Sequence, residues 1–120
     1  MYKTRAKGEA TMDSEKSIEK YLRERINALG GRAYKWVSPG NTGVPDRIVI
    51  VRGMVLFIEL KNETGVLTTN QRVQLRRLRQ YGMQAGVLSS KHDVDTMTFL
   101  LGHPKQLSDF LKGQAEKYEV

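Results

Sequence analysis

Two apolar runs, Ile48 to Val51 and Met54 to Ile58, are separated by Arg52-Gly53 alone. A two-residue connection leaves such runs few choices, and the spacing predicts an antiparallel hairpin closed by a tight turn. The turn also sets the register, because residues pair symmetrically about it. Asp46, just before the first run, then lies opposite Glu59, just after the second. Directly opposed residues hold their Cβ atoms about 4.5–5.5 Å apart. Two carboxylates that close repel each other unless a cation offsets their charge. The feature that most constrains the fold therefore also gathers a candidate site, with a bulge in either strand as the way the register could shift.

Lys61 shares the strand parity of Glu59 and projects from the same sheet face. Leu60 turns its side chain to the opposite face, while its backbone carbonyl lies between the two polar residues as a further candidate ligand. The chain has no cysteine, and its two histidines, His92 and His103, stand apart. Hard oxygen ligands without thiolate or clustered imidazole favour magnesium or manganese over zinc. A cation at Asp46, Glu59 and the Leu60 carbonyl would polarise a scissile phosphate and lower the pKa of a water. Lys61 would hold that water and offset charge on the phosphate. The plainer readings are a common Glu-x-Lys strand end and an Asp that follows Pro45 as turn chemistry.

The rest of the chain reads as elements around this hairpin. Ile18, Leu22, Ile26 and Leu29 recur at helical spacing, predicting a first helix from about Ser14 to Leu29, ended by Gly30-Gly31. Glu19 falls at the edge of that apolar stripe. Arg32 to Val37 is a candidate strand, with Trp36 read as a core or interface residue, and residues 38–43 form a loop. The hairpin strands run from Asp46 to Val51 and from Met54 to Lys61. Thr68 with Gln71 three residues later is a capping-box pattern opening a second helix to about Tyr81. Gln84 to Leu88 follows as a strand added in parallel, Ser90 opens a third helix to about Leu101, and Pro104 to Lys112 forms a last short helix. The order is α-β-β-β-α-β-α, an α/β fold with a mixed sheet flanked by helices. Residues 1–13 read as a flexible basic arm and residues 14–120 as one domain.

Composition narrows the partners. A formal net charge of +7 over 120 residues favours polyanions. No apolar stretch approaches the roughly 18 residues of a membrane span, no secretory h-region opens the chain, and the absence of cysteine fits a reducing compartment. The expected setting is soluble and cytoplasmic, with no membrane partner. No phosphate-loop pattern is present, which argues against a nucleotide cofactor. On the second helix Arg72, Arg76 and Arg79 share a face, either as a track for a DNA backbone or as an ordinary solvated face. Lys35 and Arg47, on strands beside the site, are further candidate phosphate contacts.

Gly43-x-Pro45-Asp46, followed at residues 59–61 by Glu59-x-Lys61, resembles the signature of the PD-(D/E)XK nuclease superfamily. More narrowly it resembles the VRR-NUC family, of the standalone phage and bacterial type. Glu19 on the first helix, the Pro-Gly loop before Gly43 and Gln71 after the Glu-x-Lys strand extend the likeness from about Ser14 to Leu101. The resemblance implies a restriction-endonuclease-like αβββαβ core. It implies that Asp46 and Glu59 bind the metal and that Lys61 is the catalytic lysine. Glu19 would complete the acidic site, against the alternative of a helix carboxylate paired with Arg23. Gln71 would orient the lysine, a water or the phosphate, against the alternative of a plain capping residue. The expected activity is a magnesium- or manganese-dependent endonuclease. With no recognition helix or zinc module to read bases, branched DNA such as a four-way junction is the expected substrate. A homodimer is implied by the resemblance, with weak support from the apolar segment Leu107, Phe110 and Leu111. The alternatives are a non-catalytic basic DNA-binding subunit on the same fold and a nuclease acting on RNA.

Overall fold

The computed structural model describes residues 12–120. The expected arm at residues 1–13 lies outside them except for Met12 and Asp13, and the Asp13 Oδ2 accepts the Lys91 N–H at 2.8 Å. The elements are α1 (Glu15–Ala28), β1 (Arg32–Lys35), β2 (Arg47–Val51), β3 (Met54–Leu60), α2 (Thr69–Gln80), β4 (Gln84–Leu88), α3 (Lys91–Phe99) and α4 (Pro104–Glu116). The sheet has the order β1-β2-β3-β4. The first two pairings are antiparallel and β4 adds to β3 in parallel. This is the expected αβββαβ core with a mixed sheet flanked by helices.

The hairpin turn sets this arrangement. Arg52 and Gly53 both have positive φ, 52° and 77°, as a two-residue turn that follows the strand twist requires. Pairing about it runs from Val51 with Met54 to Arg47 with Ile58, the register read from the turn. Parity then sorts the side chains. Ala33, Val49, Val51, Leu56, Ile58 and Leu60 form one core with Ile18, Leu22 and Ile26 of α1, joined by residues of α3 and α4. On the other face Ala85 and Val87 pack with Leu67, Leu75 and Tyr118. That second layer is narrower, and Tyr34, Ile50 and Val55 stay 51%, 43% and 42% exposed.

Local chemistry explains the helix ends. The Ser14 side chain caps α1 by accepting the Ser17 N–H. The Thr68 hydroxyl accepts the Gln71 N–H while the Gln71 side chain returns to the Thr68 N–H, a complete capping box. Ser90 caps α3 through the Asp93 N–H.

Three boundaries differ from expectation by two residues or more, and the hairpin strands fall one residue short of Asp46 and Lys61. β1 stops at Lys35, two residues short of Val37, because the chain beyond it leaves the ladder after the Trp36 N–H bonds to the Asp46 carbonyl at 3.0 Å. The third helix ends at Phe99 and tightens into a 3-10 turn, Leu100–Gly102. The last helix runs to Glu116 rather than Lys112, because Leu107, Leu111, Gln114 and Ala115 keep one buried face over its whole length. Among the described residues no helix is long and apolar enough to cross a membrane.

Ile58, fully buried on β3, ties the hairpin to α1. Ile58→Ala should lower unfolding stability by about 2–5 kcal/mol, read as a fall in the urea midpoint with little change in slope.

Candidate active site

One step beyond the last β2–β3 pair, Asp46 comes opposite Glu59. The ladder changes character there. The Asp46 Oδ2 accepts the Leu60 N–H at 3.0 Å, so a carboxylate stands where a backbone carbonyl would otherwise continue the rung. The backbone of Asp46 is held from the other side by the Trp36 N–H. Gly43 lets the approach to Asp46 run against α2. Its φ is +91°, and a Cβ there would lie 2.5 Å from the Asn70 backbone carbon. The Gly43–Asp46 loop and the start of α2 are therefore in direct contact, and α2 carries Gln71.

Glu59 is only 2% exposed. Gln71 Nε2 donates to its Oε2 at 3.1 Å, while Gln71 Oε1 accepts the Thr68 N–H at 2.9 Å. One amide thus caps α2, as the capping pattern predicts, and holds the Glu59 carboxylate, a partner other than the lysine, water or phosphate that the resemblance implied. The Glu59 Oε1 is buried with no hydrogen-bond partner. Burial, then the negative charge of Asp46, raises the Glu59 pKa from an ordinary 4.5 to about 8; Lys61 pulls it down and Glu15 adds to the rise. Lys61 is half-buried at the end of β3, its N–H donating to the Leu88 carbonyl at 3.2 Å. Asp46, Glu59, Leu60, Lys61 and Gln71 are thus gathered at one end of the sheet.

An open cavity beside them is lined by Glu15, Lys16 and Glu19 of α1 with Lys35, Trp36, Asp46, Arg47 and Leu60. Glu19 lies on its wall, and its carboxylate is engaged. Arg23 Nε donates to Glu19 Oε2 at 2.9 Å, and the Arg47 guanidinium pairs with the same oxygen. Arg47 also donates to the Ala33 carbonyl at 3.1 Å. Burial lowers the Arg47 pKa, and the guanidinium lies against the oppositely charged Glu19 carboxylate. Among the described residues, no three His, Asp or Glu side chains are grouped closely enough to hold a metal ion by themselves. The donors that fit a hard cation are two carboxylates and a carbonyl, with the orphaned Glu59 oxygen pointing to an absent positive partner.

The arginines of α2 do not form one track to this site. Arg72 is spent locally, donating to the Leu67 carbonyl at 2.8 Å and to Thr69 Oγ1 at 3.3 Å. Arg76 is exposed. Arg79 lines a separate cavity with Gln84, Ser108 and Lys112. Two residues at the site escaped the sequence reading. Glu15 lies one helical turn before Glu19, a spacing that could have flagged it. Trp36, read as core or interface, is half-buried and borders the cavity; only the way the chain leaves β1 puts it there.

A mixed four-stranded sheet bearing a carboxylate pair and a lysine at one strand end defines an α/β protein of the restriction-endonuclease-like class. No family model matches the chain. It is 44% identical over 78 residues to "Putative nuclease p44" of Acyrthosiphon pisum secondary endosymbiont phage 1, a match spanning 64% of this chain and 84% of that protein. A solved structure described as a VRR_NUC domain superposes with a TM-score of 0.66 at 33% identity, covering 76% of this chain and 98% of the other. The chain belongs to the VRR_NUC family.

The raised Glu59 pKa has a direct consequence for stability. The folded state holds this proton more tightly than the unfolded chain does, so the stabilisation is full below about pH 4.5 and is lost as pH rises towards about 8. Urea titrations in EDTA should show stability falling across that window, and Glu59→Gln, which carries no charge, should flatten the fall.

Proposed function

We propose that this protein is a magnesium- or manganese-dependent endonuclease that hydrolyses phosphodiester bonds in branched DNA, with residues 14–120 acting as one catalytic domain. The observation that carries the reading is the buried, unpartnered Glu59 Oε1 opposite Asp46. An isolated buried carboxylate oxygen is costly, and a divalent cation is the partner that relieves both its burial and the repulsion from Asp46. Asp46, Glu59 and the Leu60 carbonyl would hold that cation. A bound divalent cation supplies charge stabilisation to the phosphate and acidifies a water.

The chain's own residues do the rest. Lys61 donates hydrogen bonds to the attacking water and to the phosphate, where its charge offsets that developing in the transition state. Gln71 fixes the Glu59 rotamer through its amide. Glu19, braced by Arg23 and Arg47, completes the acidic wall, with Glu15 beside it. Lys35 and the exposed part of the α2 arginine face, Arg76 above all, meet the phosphate backbone, and Arg47 contributes by bracing Glu19 at the same wall. Arg72, bonded to the Leu67 carbonyl and Thr69, and Arg79, beside a separate cavity, stand outside this track. The similarity to a phage protein named as a nuclease supports hydrolysis. A homodimer, with two sites related by a two-fold axis, matches the symmetry of a four-way junction. Net charge and the lack of a membrane-spanning helix among the described residues agree with work on nucleic acid in the cytoplasm.

A second reading, a non-catalytic DNA-binding subunit, is favoured by one observation: among the described residues no third acidic side chain joins Asp46 and Glu59 in a metal-holding group.

Cleavage of labelled four-way junction, flap, single-stranded and duplex DNA, with magnesium, manganese or EDTA, separates the two. The nuclease reading expects metal-dependent cutting of branched DNA. Lys61→Ala should reduce cutting by at least about a hundredfold, in line with loss of a group that stabilises transition-state charge, with binding retained. Full activity in Lys61→Ala would remove the mechanism; binding without cutting by the wild type under every condition would favour the subunit.

Metal should also raise the melting temperature by linkage, and Asp46→Asn should remove most of that rise. Because the cation competes with the Glu59 proton, the rise should be larger at pH 8.5 than at pH 6, on either side of the Glu59 pKa of about 8.

A further inference from the structure

β1 is an open edge of the sheet, and one of its faces presents a row of Arg32, Tyr34 and, one residue past the strand, Trp36. Tyr34 is 51% exposed, and the Arg32 guanidinium lies 5.8 Å from its ring centroid. The Trp36 ring leans on Phe57, with centroids 5.3 Å apart and planes inclined at 53°. Its other surroundings include the cavity shared by Lys35 and Asp46. Same-face residues along a strand stand about 6.6 Å apart, so the row begins at the candidate reacting centre and leads away from it along uncovered sheet.

We propose that this row is a platform for an unpaired strand of the substrate, with bases stacking on Trp36 and Tyr34 while Arg32, on the same face, meets a phosphate. The inference rests on the nuclease reading for what lies at Asp46. Two aromatic side chains in line with a cation suit an unpaired strand, because every base offers a π face and every phosphate a charge. A duplex keeps its bases stacked on one another and can use only the cation. The platform therefore directs the site to branched DNA with single-stranded arms, such as flaps and overhangs, ahead of fully paired junctions. A second copy of the chain is the other occupant an exposed sheet face could take. Arg32, on a chain of net charge +7, favours a polyanion over an equally basic surface.

Trp36 is the sole tryptophan of the sequence, so its fluorescence reports the platform in the unaltered protein. In EDTA, which stops cutting, a short oligothymidylate should quench Trp36 saturably, and a blunt duplex of equal length should quench it far less. Tyr34→Leu, a change at an exposed position, should weaken oligothymidylate binding about tenfold by anisotropy, and Arg32→Ala several-fold. Failure to bind the oligothymidylate, binding without quenching, or equal quenching by duplex would overturn the proposal. So would unchanged affinity in Tyr34→Leu accompanied by loss of a dimer in sedimentation, which would assign the face to a second copy. Metal-dependent cutting of a flap without any quenching removes the platform and leaves the nuclease reading intact. Saturable quenching with no cutting of any substrate does the reverse.

Discussion

The rest of the structure depends on the register of the β2–β3 hairpin. Arg52 and Gly53 adopt left-handed backbone conformations, and that turn dictates which residues of the two strands face each other. A slip of one residue would exchange the two faces of one strand. It would expose Ile58 and Leu60, bury charged neighbours, and move Asp46 away from Glu59. Core and site are thus alternate readouts of one ladder: odd and even positions on β2, and their partners on β3, divide between the α1 core and the site-bearing face.

Burial gives the site its chemical character. Glu59 is packed almost as deeply as the apolar residues beside it, yet only one of its oxygens is bonded. Desolvation and the Asp46 charge both oppose its ionisation. Asp46 is held differently. It is exposed, its position set by hydrogen bonds to β1 and β3 rather than by packing. Gln71 links the two halves, because the amide that caps α2 also restrains Glu59 and so couples helix placement to site geometry.

The hairpin, its register, the capping box of α2 and the parallel β4 were legible because each rests on local chemistry: turn length, strand parity, a hydroxyl three residues from an amide. Element ends were less so. β1 ends early because the chain leaves the ladder beyond the Trp36–Asp46 bond, and α4 continues because its later turns find an apolar surface; both are long-range facts. The α2 arginines share a helix face by spacing, yet Arg72 and Arg79 are diverted by the Leu67 carbonyl and by the groove beside α4. Glu19 has a place at the cavity, but that Arg47 reaches it across the gap from β2 to α1 is not written in either segment.

The sequence by itself determined the hairpin register that brings Asp46 opposite Glu59 and the fold's order of elements, because a two-residue turn and alternating parity leave little freedom. Only the tertiary structure decided how deeply Glu59 is buried, which of its oxygens lacks a partner, and which α1 carboxylate is already neutralised by arginine. It also decided that Trp36 and Tyr34 stand on uncovered sheet next to the site. Those properties depend on which segments distant in the chain come to lie against one another, and on the water their packing removes.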